Sequence, residues 1–140
     1  MTAWPRQPDA RTCGPSCVVV AEQLPEGLPE PWPDFGARVL AMHRRLNRVW
    51  PRALGTTPWA IARELGGRVR RYRTAEVIGT LPCPVPVYLG SRWLPRHVVL
   101  VLGERDGEPL AYDPARGVLA PIGSSRWKHT WWAVLPDAAD

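Results

Sequence analysis

Cys13 stands directly before Gly14 and Pro15, at the start of a stretch with helical spacing. A thiol there receives the positive end of the helix dipole, which favours the nucleophilic thiolate. The helix end contributes at most ~2 kcal/mol. Bringing a thiol from about 8.5 to about 4 takes roughly 6 kcal/mol. A working nucleophile therefore needs a second cation nearby, and an imidazolium is the group that also moves protons. The chain has three histidines. His43 sits in an arginine-rich helical stretch and His129 follows Lys128, so both read as surface residues. His97 opens HVVLVL, the most apolar strand-like segment. The stretch 97–113 reads as a hairpin whose turn falls within Gly103 to Gly107. With the turn centred on Arg105, His97 lies opposite Asp113 on one face, about 5 Å away. The carboxylate can then orient the imidazole through its second ring nitrogen. A slip of one residue would separate the two.

The other candidates read more plainly. Cys17 is four residues beyond Cys13 on the same helical face and reads as core. Cys83, between Pro82 and Pro84, reads as structural. The Cys-x3-Cys spacing of Cys13 and Cys17 lacks the second pair that structural zinc requires and misses the Cys-x-x-Cys redox motif. Cys13, Cys17 and His97 are thus a weak metal set. Asp113 followed by Pro114 is also an ordinary turn signal.

These residues need elements to position them. Gly14 to Leu24 reads as a helix, with Pro15 in its first turn and Cys17, Val20, Ala21 and Leu24 on one stripe. Prolines 25, 29, 31 and 33 then break the chain into a surface connection over Gln23 to Pro33. Asp34 is the expected N-cap of a helix over Phe35 to Val49, with Phe35, Val39, Met42, Leu46 and Val49 on its apolar face. A short helix fits Pro58 to Leu65, capped by Thr57 and ended by Gly66. Strands follow over Arg68 to Arg73 (an edge), Val85 to Leu89, and His97 to Leu102 (central, apolar on both faces). Pro109 to Asp113, Val118 to Ile122 and Thr130 to Leu135 complete the set. Trp131 and Trp132 alternate on the last strand, one inward and one outward. Helices first and antiparallel strands after them make an α+β pattern.

The ordered set of Gln7, five residues, Cys13-Gly14-Pro15, a helix, His97-Val98-Val99 and Asp113-Pro114 resembles papain-like cysteine peptidases. Within that group it is most similar to the bacteriocin-leader (double-glycine) peptidase type and its stand-alone bacterial relatives. Gly103 to Pro114 also resembles their downstream hairpin, and the resemblance spans most of the chain. It implies a papain-like α+β fold with N-terminal helices packed on an antiparallel sheet. It implies that Cys13 attacks, His97 is the base, Asp113 orients it, and Gln7 with the Cys13 backbone N–H holds the oxyanion. Gly14, Trp131 and Trp132 would border the substrate, one of the indoles shielding the His–Asp pair. The reaction would be peptide or amide cleavage through a thioester, on a peptide or protein substrate, with no metal or organic cofactor. Two other readings use the same residues: a degenerate domain that binds a peptide or leader sequence, and a peptidoglycan or glutamine amidase.

Composition sets the frame. The chain has 140 residues, a single-domain length, and can bury roughly two thirds of its unfolded surface without a staple. No apolar run approaches the ~18 residues of a membrane span. The N-terminus lacks an apolar signal core, so a bacterial, cytoplasmic, reducing setting is expected and a disulfide framework is not. The net charge is +5, from 17 arginines and one lysine against 13 acids. Between Arg38 and Arg73 there are ten arginines and one acid, Glu64. Without interleaved aromatics on a recognisable motif, that stretch reads as a solvated face, and no nucleic-acid partner is expected. Oligomeric state is not written in these features.

Overall fold

A computed structural model describes residues 4–29, 31–48 and 55–137. Helix α1 (Cys13–Gln23) runs into a 3-10 turn, Leu24–Glu26, and is followed by α2 (Phe35–Leu46) and α3 (Pro58–Leu65). Strand β1 (Gly67–Arg71), a short α4 (Thr74–Gly79), β2 (Val85–Gly90), β3 (Pro95–Arg105), β4 (Glu108–Asp113), β5 (Val118–Pro121) and β6 (His129–Pro136) complete the order. The strands form one antiparallel sheet in the order β1-β6-β2-β3-β4-β5. The arginine-rich β1 is an edge and the apolar β3 is central, as their patterns require.

Helix α1 lies on β3 with α2 and α3 packed against it. Every residue from Gly14 to Ala21 is consequently buried, not only the expected stripe. Val18, Val20, Val39, Ile61, Leu100, Tyr112 and Val134 fill the layer between helices and sheet. A second apolar cluster covers the other face, where Val77 of α4 meets Val85, Val87, Val99 and Val101. Two packed faces explain why β2 and the middle of β3, Val98 to Leu102, are apolar without alternation. The six-residue α4 is too short to leave a periodic signal and was not expected.

Helix α3 follows its sequence closely. The Thr57 hydroxyl accepts a hydrogen bond from the Ala60 N–H, and Gly66 ends the helix at φ 72°. Helix α2 departs from its expected form. Asp34 precedes it in a left-handed conformation and makes no side-chain cap, and the helix ends at Leu46. Val49 lies outside the described residues. His43 is not at the surface but 4% exposed, on a stripe with Phe35, Val39 and Leu46. Its spacing from Val39 is that of a buried neighbour, whatever the charge of the residues beside it.

The β3–β4 hairpin turns at Asp106 and Gly107, both with positive φ, not at Arg105. Near the turn Arg105 pairs with Glu108 and Gly103 with Leu110. Carried on unchanged, that register would set Asp113 opposite Leu100, on the wrong side of the strand for His97. Leu102 is an extra residue: Val101 pairs with Ala111, and Leu100 with Tyr112. Asp113 therefore comes level with Val99, which shares its side of the strand with His97. The expected shared side holds, while the two residues are diagonal instead of directly opposite.

At the far end of β3, Gly90 admits the returning chain. A Cβ there would stand 2.1 Å from the Leu94 carbonyl oxygen and 2.7 Å from the Pro95 Cα. Gly90→Ala is expected to cost about 1–3 kcal/mol, read from denaturant unfolding. An unchanged midpoint would contradict so close an approach.

Candidate active site

Cys13 is the first residue of α1 and Thr12 its N-cap. The Thr12 hydroxyl donates to the Asp9 carbonyl at 3.1 Å and accepts from the Asp9 N–H at 3.3 Å. The Asp9 carboxylate accepts the Arg11 N–H at 2.8 Å. This knot fixes the approach to the sulfur. Ser16 N–H makes a helical bond back to the Thr12 carbonyl at 2.9 Å. The N–H groups of Cys13 and Gly14 precede it and belong to the helix end that intrahelical bonding leaves open.

His97, 8% exposed, comes from the start of β3. Its Nε2 lies 2.8 Å from Asp113 Oδ1, and the other ring nitrogen is left for the Cys13 side chain, which hydrogen-bonds the imidazole. Burial alone would push the ring's pKa down. Hydrogen bonds to Asp113 and Cys13, with the charges of both, outweigh it and raise it to about 9. Asp113 is 3% exposed. Its Oδ1 also accepts the Ala115 N–H at 3.0 Å, and Oδ2 accepts Arg116 Nε at 2.8 Å. Burial would raise this carboxyl, yet the bonds and charges of His97 and then Arg116 hold it down at about 2. The Asp113 carbonyl accepts the N–H groups of Arg116 and Gly117. The orienting role and the turn-capping role thus fall to the same residue.

The chain before the nucleophile lies against this turn. Gln7 N–H donates to the Pro114 carbonyl at 2.8 Å, and the Tyr112 hydroxyl donates to the Pro5 carbonyl at 2.6 Å. The Gln7 side-chain amide donates to the Asp9 carbonyl at 2.6 Å, and its Oε1 is enclosed with no hydrogen-bond partner among the described residues.

A cleft of about 420 Å³ opens beside Cys13 and His97, lined also by Thr56, Trp59, Tyr88, Arg96 and Trp132. Its far wall is held at two points. The Tyr88 hydroxyl donates to the Thr56 carbonyl at 2.7 Å. The Asn47 carboxamide donates to the Gly55 carbonyl and accepts the Thr56 hydroxyl. Trp132 packs between Trp59 and Tyr88, with ring centroids 5.6 and 6.0 Å away.

Cys13, His97, Asp113 and Trp132 are therefore brought together or onto one cleft. Gln7, Gly14 and Trp131 are not among the residues lining it. Gly14 is buried, and a Cβ on it would meet Thr56 Cβ at 3.3 Å, so it serves the packing of α1 on the wall. The two indoles do not alternate. Tyr88 pairs with Trp132 and Leu89 with Thr130, which leaves Trp131 as a bulge residue, and both rings pack on the helix-side cluster. Cys17 is core as expected. Burial pushes its thiol well above the ordinary value, and its Sγ lies 3.6 Å from the Val98 carbonyl. Cys83 is exposed. Arg116, Asn47 and Tyr88 were missed. Arg116 was visible only as part of an Asp-Pro turn, and nothing in the sequence linked Asn47 to residues 55–56.

No family model matches the chain, and no curated protein matches it. Solved structures do. The peptidase domain of Streptococcus ComA, a bi-functional ABC transporter involved in a quorum-sensing pathway, superposes with a TM-score of 0.59 at 21% identity, covering 98% of this chain and 100% of that one. A double-glycine-motif protease from an AMS/PCAT transporter, solved with its leader peptide, gives 0.59 at 16% identity over 93% of this chain and 86% of that one. The chain has the α+β papain-like fold of double-glycine peptidase domains.

The raised His97 makes stability depend on pH with a definite sign. A histidine held above its unfolded value stabilises fully below about pH 6.5 and loses that contribution as pH rises through about 9. A shift from 6.5 to about 9 corresponds to ~3 kcal/mol. The stability gap between wild type and His97→Gln should accordingly be wide at pH 6 and narrow above pH 9, measured by denaturant melts. A gap independent of pH would contradict the paired imidazolium.

Proposed function

We propose that this protein is a cysteine peptidase, or a closely related acyl-transfer hydrolase, that cleaves a peptide or amide bond through a thioester on Cys13. The observation that carries the reading is one chain of contacts. Cys13 at the N-terminus of α1 shares His97 with the buried Asp113, at the wall of a cleft. His97 keeps its proton to about pH 9, so an imidazolium stands beside the sulfur at neutral pH.

The steps balance without a metal or redox partner. The Cys13 sulfur attacks the acyl carbon and forms the C–S bond. His97 gives its proton to the leaving nitrogen as the C–N bond breaks. Water then attacks the thioester, loses a proton to His97 and expels the thiolate. Asp113 holds the ring in one tautomer throughout. The Cys13 N–H at the helix end faces the developing oxyanion. In this reading Gln7, which does not line the cleft, would supply the second donor with the amide hydrogen that is not spent on Asp9. Trp132 forms part of the substrate wall.

A peptide is the substrate this reading favours, supported by the leader peptide bound to one structural neighbour. Residues 1–140 act as one domain, and a reducing bacterial cytoplasm is the compartment that keeps Cys13 a thiol.

The test is turnover of peptide, cell-wall and glutamine substrates, with intact-mass detection of an acyl group on Cys13. Peptide cleavage should vanish in Cys13→Ala and fall roughly 10²–10⁴-fold in Asp113→Asn. Absence of turnover with all three classes, together with peptide binding that survives Cys13→Ala, would replace the enzyme with a binding domain.

A further inference from the structure

The β2–β3 connection ends in an exposed apolar tip. Trp93 is 72% exposed and Leu94 49%. The tip is nonetheless tightly built. The Ser91 hydroxyl accepts the N–H groups of Trp93 and Leu94 at 3.3 and 3.2 Å. Ser91 N–H donates to the Leu94 carbonyl at 3.0 Å, and the Ser91 carbonyl accepts Trp131 Nε1 at 2.9 Å. These backbone groups have partners within the protein, so the tip can leave water without orphaning them. Backbone groups carried below the hydrated headgroups, out of reach of water, need such partners.

Its surroundings are cationic. The Arg92 guanidinium stacks over Trp93 at 4.6 Å, and Arg126 over Trp127 at 4.5 Å. Arg92, Arg126, Lys128 and His129 line one shallow hollow beside the tip, and no carboxylate lines it. Indole and leucine at the point with basic side chains around them match the two chemistries of a bilayer surface, the apolar–polar boundary and the anionic headgroups. A protein partner needs roughly 800 Å² of matching surface, which a protruding four-residue tip does not offer.

We propose that Ser91–Leu94 docks this protein on a bilayer surface bearing anionic headgroups. The tip runs straight into Pro95 and Arg96, which line the Cys13 cleft, so docking brings the cleft close to the membrane. The inference does not depend on catalysis by Cys13.

Co-sedimentation of the full chain with phosphatidylcholine vesicles, with and without phosphatidylglycerol, tests it. Binding is expected to the anionic vesicles and to weaken as salt rises. Replacing both Trp93→Ser and Leu94→Ser should weaken it by about tenfold or more. Both side chains are exposed, so the double variant should keep the wild-type melting temperature, which certifies its fold. Arg92→Ser with Arg126→Ser, which leaves the apolar tip intact, should weaken binding to anionic vesicles alone. The proposal is overturned by absence of binding to anionic vesicles, by binding that the tip substitutions leave unchanged, or by binding to a single-stranded oligonucleotide in place of vesicles.

Discussion

A buried carboxylate carries the site. Asp113 is nearly sealed from water, and an ionised group in that position is unfavourable unless charges and donors replace its hydration. His97 and Arg116 supply the charges, and the Ala115 N–H supplies a further donor. In return the carboxylate fixes which nitrogen of His97 faces it and which faces the sulfur. Its own backbone carbonyl closes the turn against which residues 4–7 are laid. Removing the charge would therefore loosen the imidazole, the Ala115 N–H and the Arg116 guanidinium together. The Arg116 guanidinium, also bonded to Ser124, ties the same carboxylate to the 3-10 turn after β5.

The division of labour at Cys13 follows from magnitudes. The end of α1 lends partial positive charge, too little by itself to make a working nucleophile. The imidazolium of His97 stands beside it, and its proton is retained because Asp113 and Cys13 both stabilise the charged ring against burial. Two cysteines one helical turn apart therefore meet opposite environments. Cys17 is shut in the core and held as a thiol, whereas Cys13 faces a cation and a cleft.

The sequence made the Cys13, His97 and Asp113 cluster readable because each member sits at an element boundary with its own local signal. Cys13 precedes a Gly-Pro helix start, His97 opens an apolar strand, and Asp113 closes a hairpin. Helix α3 was equally readable, since Thr57, Pro58 and Gly66 act through neighbouring backbone. Features set by distant packing were not. The bulges at Leu102 and Trp131 leave no mark in composition, yet one brings Asp113 to the side of His97 and the other turns both indoles one way. His43 and the Asn47 latch depend on what α2 meets in space, and the Asp113–Arg116 pair on how an ordinary turn closes.

Alkylation at pH 6, read by peptide mass spectrometry, tests the central claim most directly. An ordinary thiol is almost wholly protonated at that pH and reacts slowly. Cys83 is exposed in the same molecule and serves as the reference. The account predicts that Cys13 reacts much faster than Cys83 and that His97→Ala removes the difference. A folded wild-type protein in which Cys13 reacts no faster than Cys83 would contradict it.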